Sequence, residues 1–427
     1  MAKLQKDGAE GMRKRFFLMA LLPVLILFGT YQAAFSVAAF VVCCFIMLVE
    51  QNHFFLCFLF YIMPMAGIFK LGPGSSSLFT YLELLYIVWH LMRKRLWITK
   101  GELMALFFAA YIVVTGNVHT SLNVVRAVKL VSNLMLLGYL TELDPEKDHR
   151  QLFLFYVAGV IVSSLMRFAD STAFPIAQYA AETLERYEDT YVVRFSGLYG
   201  DPNYYSVNVI IAMCLTLVLY KRKELSLVQT VGLNIPLVIF VGLTGSKSGF
   251  LMLVLPLALI MYICVKNKNY VALASCILVL AGAAFLVFSG RLASFEYILY
   301  RLGRNTSNAD AFTTGRIGLW RNYMQYLAEN PVWSLVGCGG MTVLFGDHGP
   351  HNTYIDLIFQ FGVVGTGLYL TTMYFLIKKH SRVLSRNKVN FSIWAVVIIM
   401  YMFLSELQSY DMAFHIALAS TVWNLRN

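Results

Sequence analysis

The chain has 427 residues, of which 59% are hydrophobic and 13% charged, with a mean hydropathy of +0.65. A water-soluble protein of ordinary composition carries about a quarter charged residues, so a soluble globular class is excluded. The formal charge of +11 does not indicate a nucleic-acid surface, because the basic residues fall in short clusters between apolar runs. Those clusters are Arg13-Lys14-Arg15, Arg93-Lys94-Arg95, Lys221-Arg222-Lys223, Lys266 with Lys268, and the stretch from Lys378 to Lys388. This is the distribution of a membrane protein that keeps its basic loops in the cytoplasm.

Apolar runs predict transmembrane helices over 16–30, 33–49, 54–69, 78–92, 102–119, 124–140, 151–169, 203–220, 228–243, 248–265, 270–288, 353–377, 390–406 and 410–425. The runs do not alternate apolar with polar, as barrel strands must. The fold class is therefore all-α: a polytopic membrane protein of 12–14 transmembrane helices, the second and third spans being the shortest. With the N-terminus in the cytoplasm, every basic cluster and the C-terminus fall on the cytoplasmic side. The basic N-terminal patch lacks a small-residue cleavage site, so it reads as the start of the first span. Six of the seven cysteines lie in apolar helices and only Cys338 in a loop, which predicts neither a disulfide nor a cysteine metal site.

This topology divides the chain into an N-terminal bundle (1–169), a first extracytoplasmic loop (170–202), central helices (203–288), a large extracytoplasmic loop (289–350) and C-terminal helices (351–427). The first loop is acidic, with a short surface helix expected over Ala180 to Asp189. The large loop retains Arg291, Arg301, Arg304, Arg316 and Arg321 but has no lysine. Arginine offers a planar fork for bidentate phosphate contacts. Arg301 and Arg304 can equally lie at the lipid headgroups. Trp320, Tyr323, Tyr326 and Trp333 are spaced for a packed helix from Arg316 to Glu329, stopped at Asn330-Pro331. The loop thus reads as a folded subdomain.

The chemistry-bearing residues gather at the outward helix mouths. Arg194 precedes Asp201-Pro202-Asn203, where Asp201 or Asn203 can simply cap the next helix. Thr244-Gly245-Ser246-Lys247-Ser248 is a tight turn whose lysine can snorkel to the headgroups. Arg316 opens the loop helix, Gly337-Cys338-Gly339-Gly340 reads as a flexible turn, and His351-Asn352 stands at the mouth of the span 353–377. An imidazole there can act as a general base near neutral pH or be a hydrogen-bonded structural residue. His348 and His351 alone are too few for a metal site. Arg126 and Lys129 lie within one span, where charges line polar cavities or snorkel. Glu83, Asp356, Glu406 and Asp411 occupy comparable depths. Together these residues predict one charged pocket suited to a lipid-linked diphosphate leaving group.

Four patches, Arg194 to Asn203 (RFSGLYGDPN), Thr244 to Lys247 (TGSK), Thr314 to Trp320 (TGRIGLW) with Gly337 to Gly340 (GCGG), and His351 to Gly365 (HNTYIDLIFQFGVVG), resemble in order and spacing the O-antigen ligase and polymerase superfamily. The resemblance covers roughly residues 190–370. It implies a C-type glycosyltransferase-like enzyme of the bacterial inner membrane, working on the extracytoplasmic face without cofactor or metal. The implied donor is an undecaprenyl-diphosphate-linked oligosaccharide and the acceptor a growing glycan. Membrane lipid, a chain-length regulator or other polysaccharide-assembly proteins are the implied partners. Carried over by position, His351 and Arg316 are catalytic, with His351 as base or acceptor-positioning residue. Arg194, Lys247, Asn203, Asn352, Arg126 and Lys129 bind substrate. Lys247 stands where the family usually has arginine. A polymerase of O-antigen, capsule or exopolysaccharide is the first reading, and a ligase transferring glycan to lipid A-core the second. A lipid-linked oligosaccharide flippase fits less well, because the halves show no repeat.

Overall fold

The computed structural model describes residues 2–50, 52–94, 97–119, 124–180, 182–187, 190–270, 273–274, 300, 310, 313, 315–338, 349–377, 391–404 and 409–425. Within them the chain is an all-α integral membrane protein. The helices are α1 (Ala2–Gly29), α2 (Ala33–Val49), α3 (Asn52–Ile62, continued by a 3₁₀ turn Met63–Met65), α4 (Leu78–Arg93), α5 (Lys100–His119), α6 (Val124–Leu140), α7 (Pro145–Arg167), the single turn α8 (Ile176–Tyr179), α9 (Pro202–Lys221), α10 (Leu227–Thr244) and α11 (Lys247–Lys266). After a long interval come α12 (Arg316–Glu329), α13 (Pro331–Val336), α14 (Thr353–Ile377), α15 (Ser392–Tyr401) and α16 (Tyr410–Asn424). Helices α7, α9, α10, α11 and α14 are long and apolar enough to cross a bilayer on their own. Shorter apolar helices complete the bundle. The expected span 270–288 lies almost wholly outside the described residues, as do Arg291, Arg301, Arg304, Gly339, Gly340, His348 and Glu406.

Helix α9 is the axis of the fold. It is buried from Tyr205 to Leu219 on every face, and it packs against α7, α10, α11 and α15. A helix that is apolar all round belongs inside a bundle. Among its buried polar residues, Ser206, Asn208 and Thr216, the asparagine is closed by neighbours. Asn208 Oδ1 accepts from Tyr156 Oη at 2.7 Å and lies 3.0 Å from His415 Nε2, while Tyr401 Oη stands 3.0 Å from His415 Nδ1. With Nε2 donating to Asn208 and Nδ1 accepting from Tyr401, every group is satisfied. Four helices (α7, α9, α15, α16) are thus joined at a depth where an unmet polar group is costly.

At the basic end of α9 the helix stops in an ionic knot. Glu224 accepts from Arg222 Nε at 2.8 Å and meets His149 Nε2 at 2.7 Å. Burial alone would raise the Glu224 carboxyl, but Arg222 and His149 outweigh it and hold it below the usual glutamate range. A depressed folded-state value gives stability that is complete above the unfolded glutamate value, about 4.3. It is lost as pH falls through the lower folded one. Glu224→Gln should therefore flatten the fall in thermal stability of the detergent-purified protein below about pH 4.5. Variant and parent curves of equal slope in that range would show that the knot contributes nothing there.

Two departures from the sequence reading concern the loops. The segment expected as a helix over Ala180 to Asp189 is instead half of an antiparallel ribbon, β1 (Thr183–Tyr187) with β2 (Thr190–Arg194), Thr183 facing Arg194. Thr190, Tyr191, Val192 and Val193 are β-branched or aromatic and favour a strand. Once they pair, the acidic stretch before them is drawn into the ribbon, and helix is confined to Ile176–Tyr179. The turn at Gly337 is fixed rather than flexible. Helix α14 breaks at Gly362 (φ 63°, ψ −175°), and Gly337 (φ 77°) lies against the break. A Cβ on either glycine would stand 2.4 Å from backbone atoms of the other segment. Tyr111 Oη of α5 lies 2.7 Å from the Val336 carbonyl and 2.9 Å from that of Phe361. Cys338 N donates to the Phe359 carbonyl at 3.0 Å. Helix α12 packs on α14 through Tyr323 against Phe359, centroids 4.9 Å apart, as its aromatic spacing predicts.

Candidate active site

Three helix N-termini and the C-terminal ends of α10 and α15 meet at the end of α9 remote from the ionic knot. A twenty-residue helix spans about 30 Å at 1.5 Å per residue, so the two ends lie on opposite sides of the bundle. Asp201 caps α9, its Oδ1 accepting from Asn203 N at 2.6 Å and Tyr204 N at 3.3 Å. Asp201 rather than Asn203 is therefore the cap. Asn203 Oδ1 accepts from Ser246 Oγ at 2.8 Å, and Ser246 in turn caps α11 by accepting from Gly249 N at 3.1 Å. This chain of bonds fixes Lys247, the first residue of α11, beside Asn203. Arg194 ends β2 and is buried, with Nε donating to the Thr244 carbonyl at 3.0 Å. Phe195 clusters with Phe168 and Phe240 at centroid distances of 5.2 and 5.9 Å. Arg316 opens α12, and its Nη1 donates to the Phe403 carbonyl beyond α15 at 2.8 Å.

These residues share a cleft of about 280 Å³. Arg194, Asn203, Lys247, Ser248, Thr313 and Arg316 form one part of its lining; Leu251, Met252, Ile399 and Phe403 form the other. Three cations stand together at the first turns of α11 and α12, beside the positive ends of both helix dipoles. The carboxylates described nearby do not line the cleft. Its chemistry is that of a polyanion holder with an apolar flank.

Not every expected residue reaches it. Asn352 is the N-terminal cap of α14, accepting from Tyr354 N at 3.0 Å and Ile355 N at 3.1 Å. His351, in the left-handed conformation (φ 47°), is not in the lining. Its neighbours are nonetheless tied to the cleft wall. Thr353 Oγ1 donates to the Leu404 carbonyl at 2.6 Å, beside Phe403, and Trp320 Nε1 donates to the Pro350 carbonyl at 2.8 Å. Arg126 lies in α6, its side chain outside the described residues. Lys129 belongs to a different place, because α6 packs against α4, α5, α14 and α16. There Lys129 is within electrostatic reach of Lys70 and of the buried Glu83, which also feels Asp411. Asp411 accepts from Tyr199 Oη at 3.3 Å and Ser409 Oγ at 2.7 Å. Burial and then Lys129 lower the Lys70 ammonium, which lies in the loop before α4. The single charged pocket expected from sequence is thus two clusters. The segment 194–203 joins them, carrying Arg194 and Asn203 to one and Tyr199 to the other.

Sequence reasoning missed Ser248, Thr313 and the apolar wall. Ser248 closes the turn already singled out at Thr244 to Ser248 and Thr313 adjoins the Thr314-Gly315-Arg316 motif, so proximity could have flagged both as site residues. Ile399 and Phe403 carry no such signal within an apolar run.

Residues 232–370 match the family model of the O-antigen ligases. Over that stretch the chain is similar to the O-antigen ligase and polymerase superfamily. The match runs from within α10 to within α14 and takes in Lys247, Arg316, His351 and Asn352, while Arg194 and Asn203 are supplied from outside it. The matched family implies a glycosyltransferase-like ligase or polymerase activity in polysaccharide biosynthesis and suggests lipid-linked glycan substrates. No curated protein and no solved structure matches the chain.

Proposed function

We propose that this chain is a polymerase of bacterial surface polysaccharide, joining undecaprenyl-diphosphate-linked repeat units on the extracytoplasmic face of the inner membrane. The observation that carries this reading is the cleft's mixed lining. Arg194, Lys247 and Arg316 share it with Leu251, Met252, Ile399 and Phe403. A diphosphate bearing a polyprenyl chain needs cations and apolar contact within a few ångströms of each other. Leu251 and Ile399 are also exposed, which suits a lipid tail leaving the cleft for the bilayer. The orientation follows the positive-inside rule, both termini being cytoplasmic.

In the reaction an acceptor hydroxyl oxygen forms a bond to the anomeric carbon of the donor. The bond from that carbon to the diphosphate oxygen breaks, and its electron pair leaves with undecaprenyl diphosphate. Arg316 and Arg194, with Lys247, stabilise the charge that develops on this leaving group. The acceptor's proton passes to His351, or to water if His351 only orients the hydroxyl. His351→Ala should lower chain extension at least a hundredfold, the usual weight of a positioned acid or base. His351→Gln should retain substantial activity only if orientation is the role. Extension by the alanine variant at the parental rate would remove His351 from the site.

The test of the function is the lipid-linked and surface glycan profile of a strain lacking this gene. Single repeat units at the surface with long chains absent establish a polymerase. Long chains accumulating on undecaprenyl diphosphate would mean the ligase reaction instead. Repeat units trapped on the cytoplasmic side would mean a flippase and overturn the enzyme reading.

A further inference from the structure

Arg316 and Thr313 enter the cleft from a segment with no ordinary helix cap. Helix α12 begins after Gly315, which is left-handed (φ 82°) and has no side chain to accept from the first-turn N–H groups. The cap comes from farther back. Asp310 Oδ1 accepts from Gly318 N at 2.7 Å, eight residues on. The Asp310 carbonyl accepts from Gly315 N at 2.8 Å and Thr313 Oγ1 at 3.0 Å. One residue thus closes the loop at three points. The fit is close, since a Cβ at position 318 would stand 3.1 Å from Asp310 Oδ2. Both cleft residues of the segment, Thr313 and Arg316, lie inside the closed loop. The carboxylate also complements the positive end of α12.

We propose that Asp310 is a positioning residue: it clips the turn ahead of α12 and so sets Arg316 and Thr313 in the anion cleft. The proposal rests on the reading of the cleft as a diphosphate site. Asp310 touches no substrate and acts only through the two residues it holds. Arg316 is further anchored by the Phe403 carbonyl. Loss of the clip should therefore loosen the arginine rather than remove it.

The test is binding of undecaprenyl diphosphate to the purified full-length chain in detergent, with Asp310→Ala, Asp310→Asn, Arg316→Ala and the Asp310→Ala/Arg316→Ala pair. Loss of one capping bond should weaken binding by Asp310→Ala roughly five- to tenfold. Asp310→Asn should recover most of that loss, because an amide oxygen still accepts from Gly318 N. The double variant should bind no more weakly than Arg316→Ala alone, the mark of two residues acting as one. Parental binding by Asp310→Ala, additive losses in the pair, or no recovery with asparagine would each overturn the clip. Failure of the parent protein to bind the diphosphate would sink the cleft reading instead. The clip is then decided by thermal unfolding of the same four variants, where coupled losses uphold it and additive ones do not.

Discussion

Arg316→Ala should reduce glycan extension by two to three orders of magnitude while the protein inserts and folds as before. Removing one preorganised donor from a developing oxyanion carries about that weight. Here the donor is the first residue of α12 and lines a cleft with two further cations. Arg316→Lys keeps the charge and loses the planar fork, so it should recover only part of the rate. The measurement is chain length on lipid-linked donor in membranes carrying each variant at matched abundance. Alanine and parental proteins making chains of equal length would dismiss the cleft as the reaction site.

Gly362→Ala is expected to be strongly destabilising. Its backbone (φ 63°, ψ −175°) lies in a region essentially restricted to glycine, at a cost of order 1–3 kcal/mol for other residues. The new Cβ would also stand 2.4 Å from Gly337 N and from the Leu335 carbonyl. Neither is the flexible end of a side chain, so the two segments must part. A loss of about 3 kcal/mol or more is expected, read as a large drop in the thermal midpoint of the detergent-purified protein. An alanine variant that melts with the parent would mean that the two backbones are not in contact. Gly337→Ala meets the Gln360 carbonyl at 2.4 Å and should behave alike.

Hydropathy made the helices legible because a bilayer demands long apolar runs and little else. Helix mouths were legible for a related reason: motifs such as Thr244 to Lys247 and Asp201 to Asn203 are turn and cap chemistry, local in sequence. Arg194, Asn203, Lys247 and Arg316 could therefore be named in advance, and the structure brings them into one cleft. What could not be read was lateral. Depth in the membrane follows from position along a helix, but the neighbour at that depth does not. Lys129 was grouped with Arg316 on depth alone, and the packing of α6 against α4 and α16 puts it with Glu83 and Asp411 instead. The ribbon Thr183–Arg194 was hidden by its acidic half, since pairing across a turn overrides local propensity. Phe403 and Ile399 were hidden because an apolar wall and a lipid-facing surface use the same residues.

The break in α14 bears on what the family match describes. The stretch 232–370 contains both glycines of the junction, yet the hydroxyl that reaches the Val336 and Phe361 carbonyls belongs to Tyr111, far outside it. Asn203, which fixes the turn before Lys247, is also supplied from elsewhere. The shared sequence is therefore a signature drawn across a larger machine and not a portable module. Excised at its borders, it would carry two exposed main-chain acceptors and an unanchored turn in place of the parts that make it work.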